Sequence, residues 1–234
     1  MTYCVSDIHG EYELFLSLLE KIHLSDDDTL IVCGDIIDKG CGSVKLLNKL
    51  SRMKNAVCIL GNHELAFLRY YWSIMHTSPT DFDMTLEKLR DYFPTDGELL
   101  DWEIVDWLES LPYYIEAQDY ICVHAGVPLD ENLHVLPLSL ALPEQLVNDR
   151  HFKEPFVLPR DSKCVLFGHT PTCYMGNEPI IKYPKVGKDA NSKAISDYCK
   201  IHLDTGVWES RILGAFCIDT CEIFYVKNNK NARC

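Results

Sequence analysis

Residues 29–40, TLIVCGDIIDKG, carry an unbroken apolar run into a glycine and then into two aspartates three positions apart. Such a run, with no polar alternation and a turn signal at its end, reads as a buried strand. Asp35 and Asp38 stand where that strand stops. Carboxylates held close together repel, and burying one without a partner is costly. In a chain of formal charge -13, the position therefore calls for something cationic.

The same pattern recurs on either side. Apolar runs at YCV (3–5), AVCIL (56–60), YICV (120–123) and CVLF (164–167) each lead at once into a polar segment holding Gly, Asp or His. Between the first two strands, Leu14, Leu18 and Ile22 lie at helical spacing with Phe15 and Leu19 beside them. Ser43 opens a second helix as an N-cap, with Val44, Leu47 and Leu50 on its apolar stripe. The opening order is thus β-α-β-α-β. Short connections of this kind favour parallel strands with right-handed crossovers, and ligands gather at the carboxyl ends of such strands. Residues 64–115 read as a helical insertion broken at TSPT and PTDG. ILGAFCID and EIFYVK flank the turn DTCE in hairpin fashion and suggest a second, partly antiparallel sheet. Residues 177–198 read as a loop and 227–234 as a frayed tail. One domain spanning 1–234 accounts for the whole.

At 47% hydrophobic and 24% charged residues the chain has the make-up of a globular protein, and no apolar run approaches the roughly 20 residues of a membrane span. The N-terminus lacks a basic leader, so a cytoplasmic protein with no membrane partner is expected. Eleven cysteines, an odd count without a CxxC pair, are expected to be reduced, and Cys4, Cys33, Cys58, Cys122, Cys164 and Cys217 fall within the apolar runs. A pI near 5.0 argues against binding to nucleic acid backbones, which need Lys and Arg in excess.

The polar segments, in order, are SDIHG (6–10), GDIIDKG (34–40), GNHE (61–64), VHAG (123–126) and FGHTP (167–171). They bring together Asp7, His9, Asp35, Asn62, His124 and His169. A mixed oxygen and nitrogen set suits Mn²⁺, Fe²⁺, Zn²⁺ or Co²⁺ better than Ca²⁺ or structural zinc. Six groups exceed what one catalytic ion with an open position requires, whereas two ions sharing a carboxylate would use them all.

These five blocks in this order resemble the metallophosphoesterase superfamily, specifically its phosphoprotein phosphatase branch, which includes small bacterial serine/threonine protein phosphatases and symmetrical diadenosine tetraphosphate hydrolases. The match runs from residue 6 to about 171, with HLDTG (202–206) as a further familiar segment. The resemblance implies an α/β fold of two mixed β-sheets packed as a sandwich with helices outside. It implies two divalent transition-metal ions, Mn²⁺ first and Fe, Zn or Co as alternatives. Asp7, His9 and Asp35 would hold one ion; Asp35, Asn62, His124 and His169 would hold the other, with Asp35 as the bridge. A hydroxide held by both ions would attack phosphorus directly. His63 would protonate the leaving group and Asp38 would orient it. Asp35 and Asp38 then have separate cationic partners.

The chain departs from the family pattern in two places. Ser6 replaces the usual glycine before the first aspartate, and Lys39 replaces the usual arginine, giving a point charge where a planar fork would grip two phosphate oxygens. A second phosphate contact is assigned to Arg150 in LVNDRHF, with Arg160 as the rival. His23, His76, His134, His151 and His202 have no comparable support; His202 reads as a core or loop residue. Tyr70, Tyr71, Trp72, Tyr92, Phe93, Trp102 and Trp107 read as packing within the insertion. GDIIDKG lacks the spacing of a phosphate-cradling glycine loop.

The first expectation is hydrolysis of phosphoserine and phosphothreonine in proteins, with a phosphoprotein or phosphopeptide as partner and no regulatory subunit inferred. The alternative is symmetrical hydrolysis of dinucleoside polyphosphates such as diadenosine tetraphosphate.

Overall fold

The computed structural model describes residues 1–76, 78, 101–176 and 178–228. Strands β1 (Thr2–Val5), β2 (Thr29–Cys33) and β3 (Ala56–Ile59) run parallel, joined by helices α1 (Tyr12–Lys21) and α2 (Ser43–Leu50). Helix α3 (Asn62–Met75) follows, then α4 (Trp102–Ser110), β4 (Tyr114–Glu116), β5 (Tyr120–Val123), α5 (Pro143–Asn148) and β6 (Cys164–Phe167). The chain continues through β7 (Ile181–Pro184), β8 (Tyr198–His202), the one-turn helix α6 (Val207–Ser210), β9 (Ile212–Cys217) and β10 (Ile223–Lys227).

Two five-stranded sheets result, ordered β10-β9-β1-β2-β3 and β4-β5-β6-β8-β7. Each has three parallel strands: in the first sheet β1, β2 and β3 run to one edge with β9 and β10 antiparallel beyond β1, and in the second β5, β6 and β8 are central with β4 and β7 antiparallel at the two edges. This is the α/β sandwich of two mixed sheets.

Apart from β3, where Val57 is exposed, the apolar runs are buried on both faces, which explains their lack of alternation. In β2, Leu30 and Val32 pack with Leu14, Phe15, Leu18 and Leu47 of the helices. Ile31 and Cys33 face Cys122, Leu166 and Ile201 of the second sheet. On the far side, Ile121, Val123, Val165 and Phe167 pack with Leu138, Leu146 and Phe152. Nine cysteines of the described residues are free thiols, eight of them buried.

The structure corrects several sequence expectations. The insertion opens at Asn62 and its last residues form β4, because Tyr114–Glu116 find an antiparallel partner in β5. Of the rest, residues 77 and 79–100, with Tyr92, Phe93 and both breakers except Ser78, lie outside the described residues. Trp102 is exposed where packing was expected, although Tyr71 and Trp107 do pack against the core. The C-terminal hairpin is real but joins the first sheet, through β9 and β1. The 177–198 segment contains β7, an edge strand whose Lys182 and Pro184 disguised it. Lys227 closes β10 rather than opening a tail, and 229–234 lie outside the described residues. Ser43 does not cap α2, whose N-cap is Gly42; its hydroxyl instead accepts from Asp38 N at 3.1 Å.

Candidate metal centre

The carboxyl ends of β1, β2 and β3 deliver Asp7, Asp35 and Asn62, and those of β5 and β6 deliver His124 and His169. The β1 and β2 loops continue the strand ladder past the strands themselves: Gly34 O accepts from Asp7 N at 3.1 Å, Asp35 O from His9 N at 2.9 Å and Ile36 O from Gly10 N at 2.8 Å. Close pairing of two irregular loops forces unusual backbone. Asp7, His9, Asp35, Asp38 and Lys39 all have φ between 47° and 70°, in the left-handed region that non-glycine residues seldom occupy, and His169, on the loop after β6, has φ 69°. Gly10, at φ 71°, could not carry a side chain, since a Cβ would lie 2.3 Å from Gly40 O.

Asp35 lies at the centre. Its Oδ1 accepts from His63 N at 3.1 Å and is 3.4 Å from His124 Nε2, while its Oδ2 is 3.7 Å from both His9 Nε2 and His63 Nε2. Ligand atoms of Asp35, His124 and His169 lie within 4.8 Å of one another, as do those of Asp35, His9 and His63. Asp35 is the member common to both groups. Asp7 Oδ1 is 3.9 Å from His9 Nε2, and Asn62 Oδ1 sits between His124 Nε2 at 3.0 Å and His169 Nδ1 at 2.8 Å. All six sequence-assigned ligands are thus brought to one place.

The imidazoles are oriented from behind. His9 Nδ1 donates to Ile37 O at 3.0 Å and His124 Nδ1 to Cys33 O at 2.9 Å, so each turns Nε2 toward the carboxylates. Burial, with Lys39 and His63 opposing Asp35, pushes His9 down to about 3. Burial and the neighbouring His124 push His169 down to about 3 as well. Both rings are therefore neutral, with a lone pair to offer. Burial also drives Asp7 up to about 7, and works against His124, which Asp35 and Asp7 nevertheless lift to about 10. Burial opposes ionisation of Asp35, yet the surrounding imidazoles hold it well below the carboxylate range. Two buried polar atoms here, Asp7 Oδ1 and His169 Nε2, have no hydrogen-bond partner. Two orphaned acceptors, neutral imidazoles at His9 and His169 and two converging carboxylates fit divalent cations of the borderline type.

His63 differs from the ligand histidines. Its side chain is 25% exposed against 5% for His9, and its Nδ1 is 2.6 Å from Asp38 Oδ2. Burial works against its protonation, but the hydrogen bond to Asp38 and the charge of Asp35 raise its pKa. The bond to Asp38 fixes the partly exposed ring with Nε2 3.7 Å from Asp35 Oδ2, which places it to hold a proton beside the cluster. Lys39 Nζ donates to His9 Nε2 at 2.8 Å, which brings its ammonium to the cluster. Arg150 is exposed and its charge is felt at His169, whereas Arg160 donates to Val186 O at 3.3 Å, beside β7. Of the two rivals, Arg150 is the one near the cluster.

Glu64 and Asp204, beside the site, were given no role from sequence, and Ser6 was read only as a departure from the family glycine. Glu64, fully buried on α3, accepts four backbone N–H bonds, from Asp35 (2.8 Å), Ile36 (2.8 Å), Ile37 (3.1 Å) and Gly61 (3.0 Å). Its signal was position: a glutamate in the first turn of a helix reaches back to the preceding N–H. Asp204, in the LDTG segment after β8, is buried and pushed well above the carboxylate range by burial and by Asp7. Ser6, the departure from the family glycine, donates from Oγ to Asp7 Oδ2 at 2.5 Å and lies 3.0 Å from Cys33 O.

Gly168 explains why the last block begins as it does. A Cβ there would stand 2.1 Å from Asp7 Oδ2 and 2.1 Å from Ser6 Oγ. Gly168→Ala is expected to cost about 1–3 kcal/mol of unfolding free energy and at least roughly tenfold in metal affinity, through displacement of Asp7. Thermal unfolding and a metal titration check both, and wild-type values in the two would remove Asp7 from the site.

A sandwich of two mixed sheets, with a buried oxygen and nitrogen donor cluster where the parallel strands end, defines a metal-dependent phosphoesterase. The chain belongs to the calcineurin-like phosphoesterase family, whose model matches residues 2–201. It is 32% identical over 136 residues to the symmetrical bis(5'-nucleosyl)-tetraphosphatase of Aggregatibacter actinomycetemcomitans, a match covering 56% of this chain and 46% of that protein. The match spans about half the length of that curated relative. Among solved structures, one described provisionally as a diadenosine tetraphosphatase superposes with a TM-score of 0.66 at 20% identity, covering 99% of this chain and 94% of the other. A serine/threonine phosphatase from Saccharomyces cerevisiae superposes at 0.51 with 14% identity, covering 99% and 81%. Those two likenesses are of fold. Among the described residues, no helix is long and apolar enough to cross a membrane.

Proposed function

We propose that the protein is a metal-dependent hydrolase of dinucleoside polyphosphates, with a symmetrically cleaved substrate such as diadenosine tetraphosphate. Water is added across one internal anhydride, and two nucleoside diphosphates leave. The observation that carries this choice is the 32% identity over 136 residues to the symmetrical tetraphosphatase. Phosphoserine and phosphothreonine hydrolysis takes second place, supported by likeness of fold to the yeast phosphatase.

In this reading Asp7, His9 and Asp35 hold one divalent ion, and Asp35, Asn62, His124 and His169 hold the second, with Mn²⁺ the first candidate for both. When bound, such a pair supplies an activated water and neutralises phosphoryl oxygens for in-line displacement. The chain's own residues do the rest. Lys39 and Arg150 place two cations at the edge of the donor cluster, where an otherwise acidic molecule needs them to hold a polyphosphate. Asp38 fixes the His63 ring through Nδ1, so that its Nε2 proton is presented to the departing oxygen.

The test is steady-state kinetics of the Mn²⁺-loaded protein on diadenosine tetraphosphate and on a phosphothreonine peptide, with a metal-stripped control. Faster turnover of the dinucleotide is expected, and a preference for the peptide would move the protein to the second reading.

The leaving group gives a further prediction. A terminal phosphate, with a second pKa near 6, departs as an anion without help, whereas an alkoxide needs a proton. His63→Asn should therefore slow the phosphothreonine peptide by about 10²–10⁴ and an aryl ester or the dinucleotide by much less. Equal losses on all three would show that His63 is no general acid.

A further inference from the structure

Lys200 is a lysine in an improbable place. It lies on β8, hydrogen-bonded between β6 and β7, and is fully buried. Its Nζ donates to Phe152 O at 2.9 Å and to Glu154 O at 2.6 Å. Three rings surround it, with centroids at 3.7 Å (Phe156), 4.6 Å (Tyr183) and 5.2 Å (Phe152). Taking an ammonium out of water costs several kcal/mol even after relaxation, so an apolar side chain would serve a merely well-packed core better.

What methionine or leucine could not supply is donors. The segment after Arg150 is irregular: Asp149 Oδ1 accepts from His151 N at 2.7 Å, His151 O from Glu154 N at 2.9 Å, and Glu154 O from Phe156 N at 2.8 Å. Phe152 O has no strand or helix to pair with, and Glu154 O makes one backbone bond. The Lys200 ammonium meets both, two and four residues beyond Arg150, while the rings compensate its charge through their faces. The buried cation thus ties a stretch of backbone whose other hydrogen bonds are mostly its own to the centre of the second sheet.

We propose that Lys200 is a positioning residue for substrate: by fixing the backbone at 152 and 154, two and four residues on, it sets where Arg150 holds its guanidinium. This rests on Arg150 as a phosphate contact. A residue of that kind acts on substrate affinity through Arg150, and has no effect once Arg150 is gone.

The experiment is a double-mutant cycle on the Mn²⁺-loaded full chain, with diadenosine tetraphosphate and p-nitrophenyl phosphate as substrates. Arg150→Ala should raise KM about tenfold, and Lys200→Met about fivefold with kcat within about twofold. In the double variant KM should equal that of Arg150→Ala. Unchanged KM in folded Lys200→Met overturns the proposal. So does a further KM rise from Lys200→Met in the Arg150→Ala background, or a loss confined to kcat, since each means that Lys200 acts elsewhere. If Arg150→Ala alone leaves KM unaltered on both substrates, the phosphate-contact reading has failed first, and Lys200 falls with it. Should Lys200→Met not fold, Phe156→Leu, which keeps the lysine and removes its nearest ring, carries the same cycle with a smaller rise expected in KM and the same two overturning outcomes.

Discussion

Asp35→Asn is expected to abolish turnover, by about 10³-fold or more, and to take both metal ions with it. The reason is the position of its two oxygens. Oδ1 faces His124 at 3.4 Å, and Oδ2 faces His9 and His63 at 3.7 Å. Asparagine keeps one oxygen and puts an N–H₂ group where the other stood, so at most one side of the cluster retains an acceptor. It also removes the charge that offsets two cations in a buried site. Metal content after gel filtration, measured beside kcat on the dinucleotide, reads both effects. A variant that retains two ions and half its activity would sink Asp35 as the shared ligand, and a variant that keeps one ion would limit its role to the other. The fold should survive, because the backbone at Asp35 is held by its N–H and carbonyl bonds to Glu64 and His9.

The legibility of this molecule follows the physics of each element. TLIVC could be read as a strand buried on both faces because Leu30 and Val32 are needed by the helices while Ile31 and Cys33 are needed by the second sheet. The ligand set could be read because each block sits directly after such a strand, and parallel strands bring their carboxyl ends together. β7 was missed because an edge strand carries Lys and Pro for its own protection, which is also what a loop carries. The hairpin's sheet was missed because antiparallel pairing within β9 and β10 says nothing about which third strand they join. Lys200 was invisible for a different reason: sequence places lysines in water, and only the carbonyls and two rings of a distant loop, with Tyr183 of β7, justify its burial. The left-handed backbone at His9 and Lys39 is likewise a product of two loops pressed together, with no local sequence preference behind it.

Glu64 is where this tertiary dependence has its largest effect on stability. The carboxylate receives N–H groups from Asp35, Ile36, Ile37 and Gly61, two on each oxygen, in full burial. Burial and Asp35 press its pKa upward, while the Ile37 N–H bond and the charges of His124 and His63 press it down. Glu64→Gln is nearly isosteric, so it leaves no cavity. It does point an amide N–H₂ at two backbone N–H donors, orienting Oε1 to Ile36 and Ile37 and leaving Asp35 N and Gly61 N facing a donor. Two buried N–H groups left without acceptors, plus the loss of charge from the remaining bonds, amount to about 3–5 kcal/mol. That is a large share of the roughly 5–15 kcal/mol that holds a typical domain together. The expected result is a lower urea midpoint in metal-free protein, with part of the loss recovered as Mn²⁺ is added, because ions that bind only the folded state stabilise it by mass action. Recovery matters to the interpretation: it requires that the variant can still assemble the Asp35 loop when cations draw it in. An unchanged midpoint would mean that the loop stands without Glu64. A lowered midpoint that Mn²⁺ leaves unmoved would mean that Glu64 supports α3 rather than the metal centre.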